Sequence, residues 1–183
     1  MNHARYNRIE LICGPMFSGK TTALIQRLEA ARVAGRKAMA FKPALDTRYS
    51  RDELVSHDGL KLVGKCVVDV QEILQAVDTA DVVGIDEIQF FDGALVDVCV
   101  TAADRGIGVI LAGVDLDHRG RPFEVVEQCE AAAGLVTRLV ARCARCGDVA
   151  RRTQRLVPGD ARIVVGGSGA YEPRCDRCFA PPD

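Results

Sequence analysis

Gly14-Pro15-Met16-Phe17-Ser18-Gly19-Lys20-Thr21 fills every fixed position of a G-x-x-x-x-G-K-[ST] phosphate loop, between an apolar run and a helical pattern. The preceding Ile9-Glu10-Leu11-Ile12-Cys13 reads as a buried strand, and Thr22 to Leu28 repeats its apolar residues at helical spacing. A chain built this way must open a helix at the loop and turn successive N–H groups toward an anion. The glycines permit that backbone, Lys20 adds a cation at the β and γ oxygens, and the Thr21 hydroxyl can ligate Mg²⁺. All eight residues therefore belong to a candidate nucleoside triphosphate site. The loop serves ATPases, GTPases, kinases and motors alike, so it sets a ligand before it sets an activity.

The rest of the chain reads as alternating strands and helices. Lys37 to Phe41 predicts a second strand, and Lys42 to Lys65 a long polar active-site loop carrying Asp46-Thr47-Arg48-Tyr49-Ser50. A short strand at Cys66 to Val68, a helix from Val70 to Val77, a strand from Asp81, a helix from Gly93 to Arg105, a strand from Gly108 to Gly113 and a helix from Glu124 to Ala133 follow. This alternation implies a parallel sheet covered on both faces, with ligands at the carboxyl ends of its strands. Near Val136 the pattern changes to short strands, two C-x-x-C pairs and Gly166-Gly167-Ser168-Gly169. Two units are expected: a phosphate-loop α/β domain over 1–138 and a small zinc-binding domain over 139–183.

At 183 residues and 48% hydrophobic content the chain can build one α/β core and an appendage, but not two full domains. A formal net charge of -1 gives no global reason to expect nucleic acid, although Arg142, Arg145, Arg151, Arg152 and Arg155 cluster in sequence. No apolar stretch approaches the ~20 residues of a membrane span. Met1 to Tyr6 lacks a signal-peptide apolar region, which predicts a cytoplasmic protein.

The run Asp81-Val82-Val83-Gly84-Ile85-Asp86-Glu87 delivers two carboxylates at a strand end. Asp86 suits the magnesium side of the site. Glu87 suits another task, since in phosphoryl transfer a carboxylate can orient the acceptor hydroxyl and take its proton late. The adjacent Gln89-Phe90-Phe91 offers aromatic walls for an apolar or aromatic acceptor.

Of eight cysteines, Cys13, Cys66, Cys99 and Cys129 stand singly in apolar surroundings and read as core residues. Cys143-Ala144-Arg145-Cys146 and Cys175-Asp176-Arg177-Cys178 have the spacing of a structural Cys₄ zinc site that pins both ends of the chain between them. A redox C-x-x-C and a nucleic-acid-gripping ribbon are the rival readings.

In order, G-P-M-F-S-G-K-T, D-T-R-Y-S, I-D-E-I-Q-F-F, D-x-x-x-R-x-x-P-F and two C-x-x-C pairs enclosing G-G-x-x-x-Y resemble the cytosolic (type II) thymidine kinases from about Ile9 to Phe179. The resemblance implies ATP-dependent phosphorylation of the 5′-hydroxyl of thymidine, and of deoxyuridine. It also implies a RecA-like core, a zinc-anchored lasso over the nucleoside and a homotetramer. By position it makes Lys20 and Thr21 the phosphate and magnesium residues, Glu87 the catalytic base, and Asp46 and Arg48 neighbours of the transferred phosphate. Met16, Phe90, Thr153, Val164, Gly166 and Tyr171 become the nucleoside pocket, with the His118 to Phe123 loop enclosing the base. A ribose 3′-hydroxyl needs a further polar partner, for which the Asp86-Glu87 strand end and Gln89 are both candidates. Thymine presents one N3–H between two carbonyls, which lasso main chain can match without a charged side chain.

One position departs from the family. In Asp115-Leu116-Asp117-His118-Arg119-Gly120-Arg121-Pro122-Phe123, histidine stands where the family commonly has phenylalanine, and it is smaller and titratable. Two other functions remain: a zinc-ribbon ATPase acting on nucleic acid, and a nucleotide-gated binding module in which Glu87 is dispensable.

Overall fold

The computed structural model describes residues 8–45, 53–56, 59–159 and 161–181. Asp46 and Arg48 fall outside them. Strand β1 (Ile9–Gly14) runs into helix α1 (Lys20–Val33), followed by β2 (Ala38–Pro43), the short strands β3 (Glu53–Val55), β4 (Lys61–Val63) and β5 (Lys65–Val67), and α2 (Gln71–Val77). Then come β6 (Val82–Ile85), a 3₁₀ turn at Ile88–Phe90, α3 (Ala94–Asp104), β7 (Gly108–Val114), α4 (Glu124–Ala132) and β8 (Leu135–Arg138). Six strands form one sheet in the order β5-β2-β6-β7-β1-β8, every pairing parallel. The α/β expectation, a parallel phosphate-loop sheet flanked by helices, is what the chain adopts.

Alternation along each strand divides the core between the two faces. Ile12, Ala40, Val82 and Ala112 pack with Leu24, Ile25 and Leu28 of α1. Their neighbours Leu11, Phe41, Val83 and Leu111 point the other way, onto Ile73 of α2, Leu95 and Val98 of α3, and Val126 of α4. Each buried Leu, Ile, Val or Phe among them contributes about 1.5–3 kcal/mol, so both helical layers are held by their apolar stripes. Helix α1 lies close on β6 because that strand carries Gly84: a Cβ there would stand 2.5 Å from Leu28 Cδ1.

Two stretches differ from the sequence reading. The polar segment between β2 and β5 is not all loop, because β3 and β4 pair as an antiparallel hairpin. Its single buried residues, Leu54 and Leu62, join the α1-side core, yet one apolar side chain per three-residue strand leaves no readable period. Of the four isolated cysteines, Cys13, Cys99 and Cys129 are buried as expected, while Cys66 on edge strand β5 is only half-buried.

After β8 the chain leaves the sheet. Strands β9 (Ala141–Arg142) and β10 (Val149–Ala150) form one small antiparallel pair, and β11 (Arg152–Arg155) and β12 (Tyr171–Arg174) another. Their apolar cluster is little more than Cys143, Ala150 and Cys175, with Ala141 and Cys178 against it. That is too little to hold a fold by burial alone. Among the described residues, no helix is long and apolar enough to cross a membrane.

Candidate active site

The phosphate loop leaves β1 through Gly14, whose φ of 144° is open to glycine and whose missing Cβ would stand 2.3 Å from the Leu139 carbonyl oxygen. It enters α1 through Gly19 in the left-handed conformation. Phe17 also has positive φ, 62°, a strain that a large side chain accepts only where the surroundings impose it. Ser18 Oγ and Lys20 Nζ both donate to the Pro15 carbonyl, at 2.8 and 2.7 Å, closing the loop on itself. Met16 N–H donates to Thr153 Oγ1 at 3.1 Å, tying the loop to β11.

The end of β6 faces this loop. Thr21 Oγ1 donates to Asp86 Oδ2 at 2.9 Å, bringing the hydroxyl and carboxylate of the expected magnesium pair together. These hard oxygen donors fit Mg²⁺. Burial of Asp86, and then repulsion from Glu87, push its carboxyl up to about 7, against the lowering effect of the Thr21 hydroxyl. Asp86 Oδ1 accepts the Glu87 N–H at 3.0 Å, and Glu87 itself is left-handed, with φ 52° and ψ 43°. A non-glycine residue in that conformation re-aims its side chain out of the strand direction.

Gln89 fixes where Glu87 points. Its Nε2 donates to Glu87 Oε2, while its Oε1 accepts the Val114 N–H at 3.0 Å from the end of β7. The Gln89 amide is thus engaged with the ends of β6 and β7, in addition to lining a cavity. Gln89, one of the two candidates for a ribose hydroxyl, makes its bonds in this structure to Glu87 and Val114.

Two cavities meet at Glu87. One, of about 210 Å³, is lined by Met16, Phe17, Gly19, Lys20, Thr21, Asp86 and Glu87, and also by Thr22, Lys42, Leu54, Val55, Gly167 and Ser168. The other, of about 50 Å³, is lined by all nine expected nucleoside residues: Met16, Gln89, Phe90, His118, Phe123, Thr153, Val164, Gly166 and Tyr171. Met16, Glu87 and Val114 border both. Phe90 lines the acceptor cavity while Phe91 packs against the core, so the adjacent aromatics take different roles.

His118 does not face water. Only 2% exposed, it finds no ring-nitrogen hydrogen-bond partner of good geometry among the described residues, although the Arg162 main chain lies close enough to favour the charged ring. Burial first, then the Arg155 charge, hold its pKa below the ordinary 6.5, and Asp117 opposes them. Asp117 is locked beside it, accepting from the Arg119 and Arg121 N–H groups at 2.9 Å each and pairing with Arg162 Nε at 2.9 Å. The Arg162 guanidinium also lies 4.7 Å from the Phe123 ring centroid. Asp117 and Arg162 thus clamp the 162–171 segment onto the 115–123 loop, a role with no local sequence signature because the partners are 45 residues apart.

The segment itself closes through the Val164 N–H, which donates to the Tyr171 hydroxyl at 3.1 Å, and through a turn in which Gly167 O accepts the Ala170 N–H at 2.9 Å. That turn's tip, Gly167 and Ser168, reaches the phosphate cavity. Sequence reading also missed Lys42, whose burial is visible only once β2 lies in the sheet.

The sulfur atoms of Cys143, Cys146, Cys175 and Cys178 lie within 4.8 Å of one another, and Cys146 Sγ is 3.6 Å from Cys175 Sγ. Four thiolates at about 2.3 Å from a tetrahedral zinc stand ~3.8 Å apart, whereas a disulfide needs ~2.05 Å, so the donor set fits zinc and not a disulfide. Burial works to raise the Cys143 thiol, but main-chain N–H groups of Cys175, Cys146 and Arg145 draw it down to about 6. Nearby arginines serve the same unit: Arg152 pairs with Asp176 at 2.8 Å, Arg177 with Asp148 at 2.7 Å, and Arg155 donates to the Ala161 carbonyl.

The thymidine kinase family model matches residues 7–179. The chain is 51% identical over 174 residues to a thymidine kinase of Rhodothermus sp. (strain ITI 518), across 95% of this chain and 82% of that one. It is 45% identical over 175 residues to a thymidine kinase of Bacteroides thetaiotaomicron, across 96% of this chain and 88% of that one. Among solved structures, a replication initiator DnaA bound to AMPPCP and single-stranded DNA gives a TM-score of 0.47 at 18% identity, over 76% of this chain and 42% of that one, too remote to carry an argument. With the phosphate loop, the paired acids and the four-cysteine cluster all inside the matched span, this chain belongs to the thymidine kinase family.

Proposed function

We propose that the chain transfers the γ-phosphoryl group of ATP to the 5′-hydroxyl of thymidine, and of deoxyuridine, in a salvage route to DNA precursors. The observation that carries this reading is Glu87 at the junction of the phosphate and acceptor cavities. Residues 14–21 hold the triphosphate, with Lys20 on its β and γ oxygens. Thr21 and Asp86 hold Mg²⁺, which supplies charge neutralisation to the phosphates when bound. Glu87, set by Gln89, orients the acceptor hydroxyl and takes its proton as the phosphorus–oxygen bond forms. Asp46 and Arg48 complete the phosphate end. Phe90, Phe123 and His118 enclose the base, and main chain at Val164 and Gly166 offers donors and acceptors to its edge.

The acceptor cavity, about 50 Å³, is well below the ~300 Å³ at which ligand pockets begin, so a nucleoside must displace the 162–171 segment to enter. Closing it again excludes water and suppresses wasteful ATP hydrolysis. Residues 1–138 then act as the nucleotide-binding domain and 139–183 as the zinc-held lasso, in a cytoplasmic homotetramer. Incubation with labelled ATP, magnesium and a panel of nucleosides, with and without DNA, tests the reading. Thymidylate formation indifferent to DNA is expected; DNA-stimulated hydrolysis without nucleotide product would favour the ribbon ATPase instead. That rival would use Arg145, Arg151 and Arg152 on phosphates, and of these Arg152 is engaged with Asp176 inside its own unit.

His118→Phe gives a sharper test of the acceptor wall. Replacing the buried, poorly hydrogen-bonded imidazole by an apolar ring is expected to stabilise the protein by about 1 kcal/mol at pH 7. The native histidine's folded pKa is depressed, so the unfolded chain binds more protons, and stability falls as pH drops through the ordinary 6.5. The variant should therefore lose part of that acid sensitivity in melting curves taken from pH 7.5 to 5. Its thymidine KM should shift at least about twofold, the scale of a small change in stacking. An unchanged KM removes residue 118 from the base-binding surface.

A further inference from the structure

Lys42 is 2% exposed, although a buried lysine is costly unless a negative charge compensates it. Its place follows from the pleat of β2: Phe41 points to the face covered by α2, α3 and α4, while Ala40 and Lys42 alternate onto the face covered by α1 and the β3–β4 hairpin. There Lys42 lines the phosphate cavity with Lys20, Thr21, Asp86 and Glu87, beneath Leu54 and Val55 of the hairpin. Lys20 approaches from the first turn of α1; Lys42 approaches from the carboxyl end of β2, where ligands of a parallel sheet gather. Two carboxylates in that cavity can hold a lysine, but they also leave it to be filled by a polyphosphate whose charge they repel. A cation fixed on a strand offsets that repulsion.

We propose that Lys42 is a second phosphate cation that contacts the transferring phosphoryl group, a role that rests on the kinase reading above. In the transfer, the bond from the γ phosphorus to the ADP oxygen breaks, the bond to the acceptor oxygen forms, and the acceptor proton passes to Glu87. Lys42 forms no covalent bond. It stabilises charge on the equatorial oxygens from a rigid strand, so no reorganisation is needed as that charge spreads.

Lys42→Met tests this by keeping the length of the side chain and deleting its charge. Turnover is expected to fall at least about 100-fold, the usual effect of removing one fixed donor to a transition-state oxygen, with thymidine KM within threefold of wild type. Equilibrium titration should show ATP affinity falling at least fivefold more than ADP affinity, and Lys42→Arg should restore part of both losses. Lys42→Gln serves in the same measurements should the methionine variant fail to fold. Wild-type turnover in the folded variant overturns the assignment, as does an equal loss of ATP and ADP affinity, which would place Lys42 away from the γ position. If the wild-type protein forms no thymidylate, the kinase reading fails instead, and the ATP-against-ADP comparison still tests the phosphate contact.

Discussion

Glu87→Gln is expected to lower turnover by about 10²–10⁴-fold, the range for loss of a general base, while MgATP binds as in the wild type. The substitution is nearly isosteric. The amide oxygen at 87 can still accept from Gln89 Nε2, and the left-handed backbone is still held by Asp86 Oδ1. Geometry is thereby kept and only proton acceptance is lost, so thymidine KM should change far less than kcat. Single-turnover phosphorylation with labelled ATP, together with calorimetric titration of ATP, checks both parts. Wild-type turnover would remove Glu87 from the chemistry and revive the binding-module alternative.

The second large effect is expected at the four cysteines. Cys143→Ser should abolish zinc binding and reduce kcat/KM for thymidine at least about 100-fold, comparable to the cost of misplacing a substrate by an ångström. Zinc-held units of this size draw roughly 10–16 kcal/mol of apparent folding free energy from the metal, and the small apolar cluster around Cys143, Ala150 and Cys175 offers no substitute. Loss of the metal frees β11 and β12, and with them Thr153, Val164, Gly166 and Tyr171 of the acceptor wall. The phosphate loop would lose the bond from Met16 N–H to Thr153 but keep its own bonds to the Pro15 carbonyl, so ATP affinity should fall much less than thymidine affinity. Metal analysis of the purified protein and of the variant gives the direct readout. A metal-free variant with wild-type kinetics would refute a structural zinc.

The two predictions probe parts of the molecule that were unequally legible. The G-x-x-x-x-G-K-T loop, the Asp-Glu strand end and the paired C-x-x-C knuckles are local patterns, and each stands in the structure where its spacing implied. Six of the nine nucleoside residues rest on family resemblance, with Gln89, His118 and Phe123 added from their neighbourhood in the sequence, and the fold collects all nine from five separate stretches into one cavity. Other features left no local trace. The β3–β4 hairpin hides its two core leucines among charges, and the Asp117–Arg162 clamp joins residues distant in sequence. Gln89 could be placed near the acids from sequence, but its simultaneous bonds to Glu87 and the Val114 N–H required β6 and β7 to be neighbours.

The sequence by itself determined the kinds of chemistry present: a backbone nest for phosphate, oxygen donors for a hard cation, thiolates for a soft one, and a carboxylate poised at a strand tip. Such signals survive in one dimension because turn geometry and ligand spacing are set within a few residues. Only the tertiary structure decided that Glu87 stands between two cavities, that His118 is buried, and that Lys42 is buried on β2 and lines the cavity beside the phosphate loop. Those facts depend on which strands lie side by side and which face each residue takes. They arise from long-range burial, which no window of sequence contains.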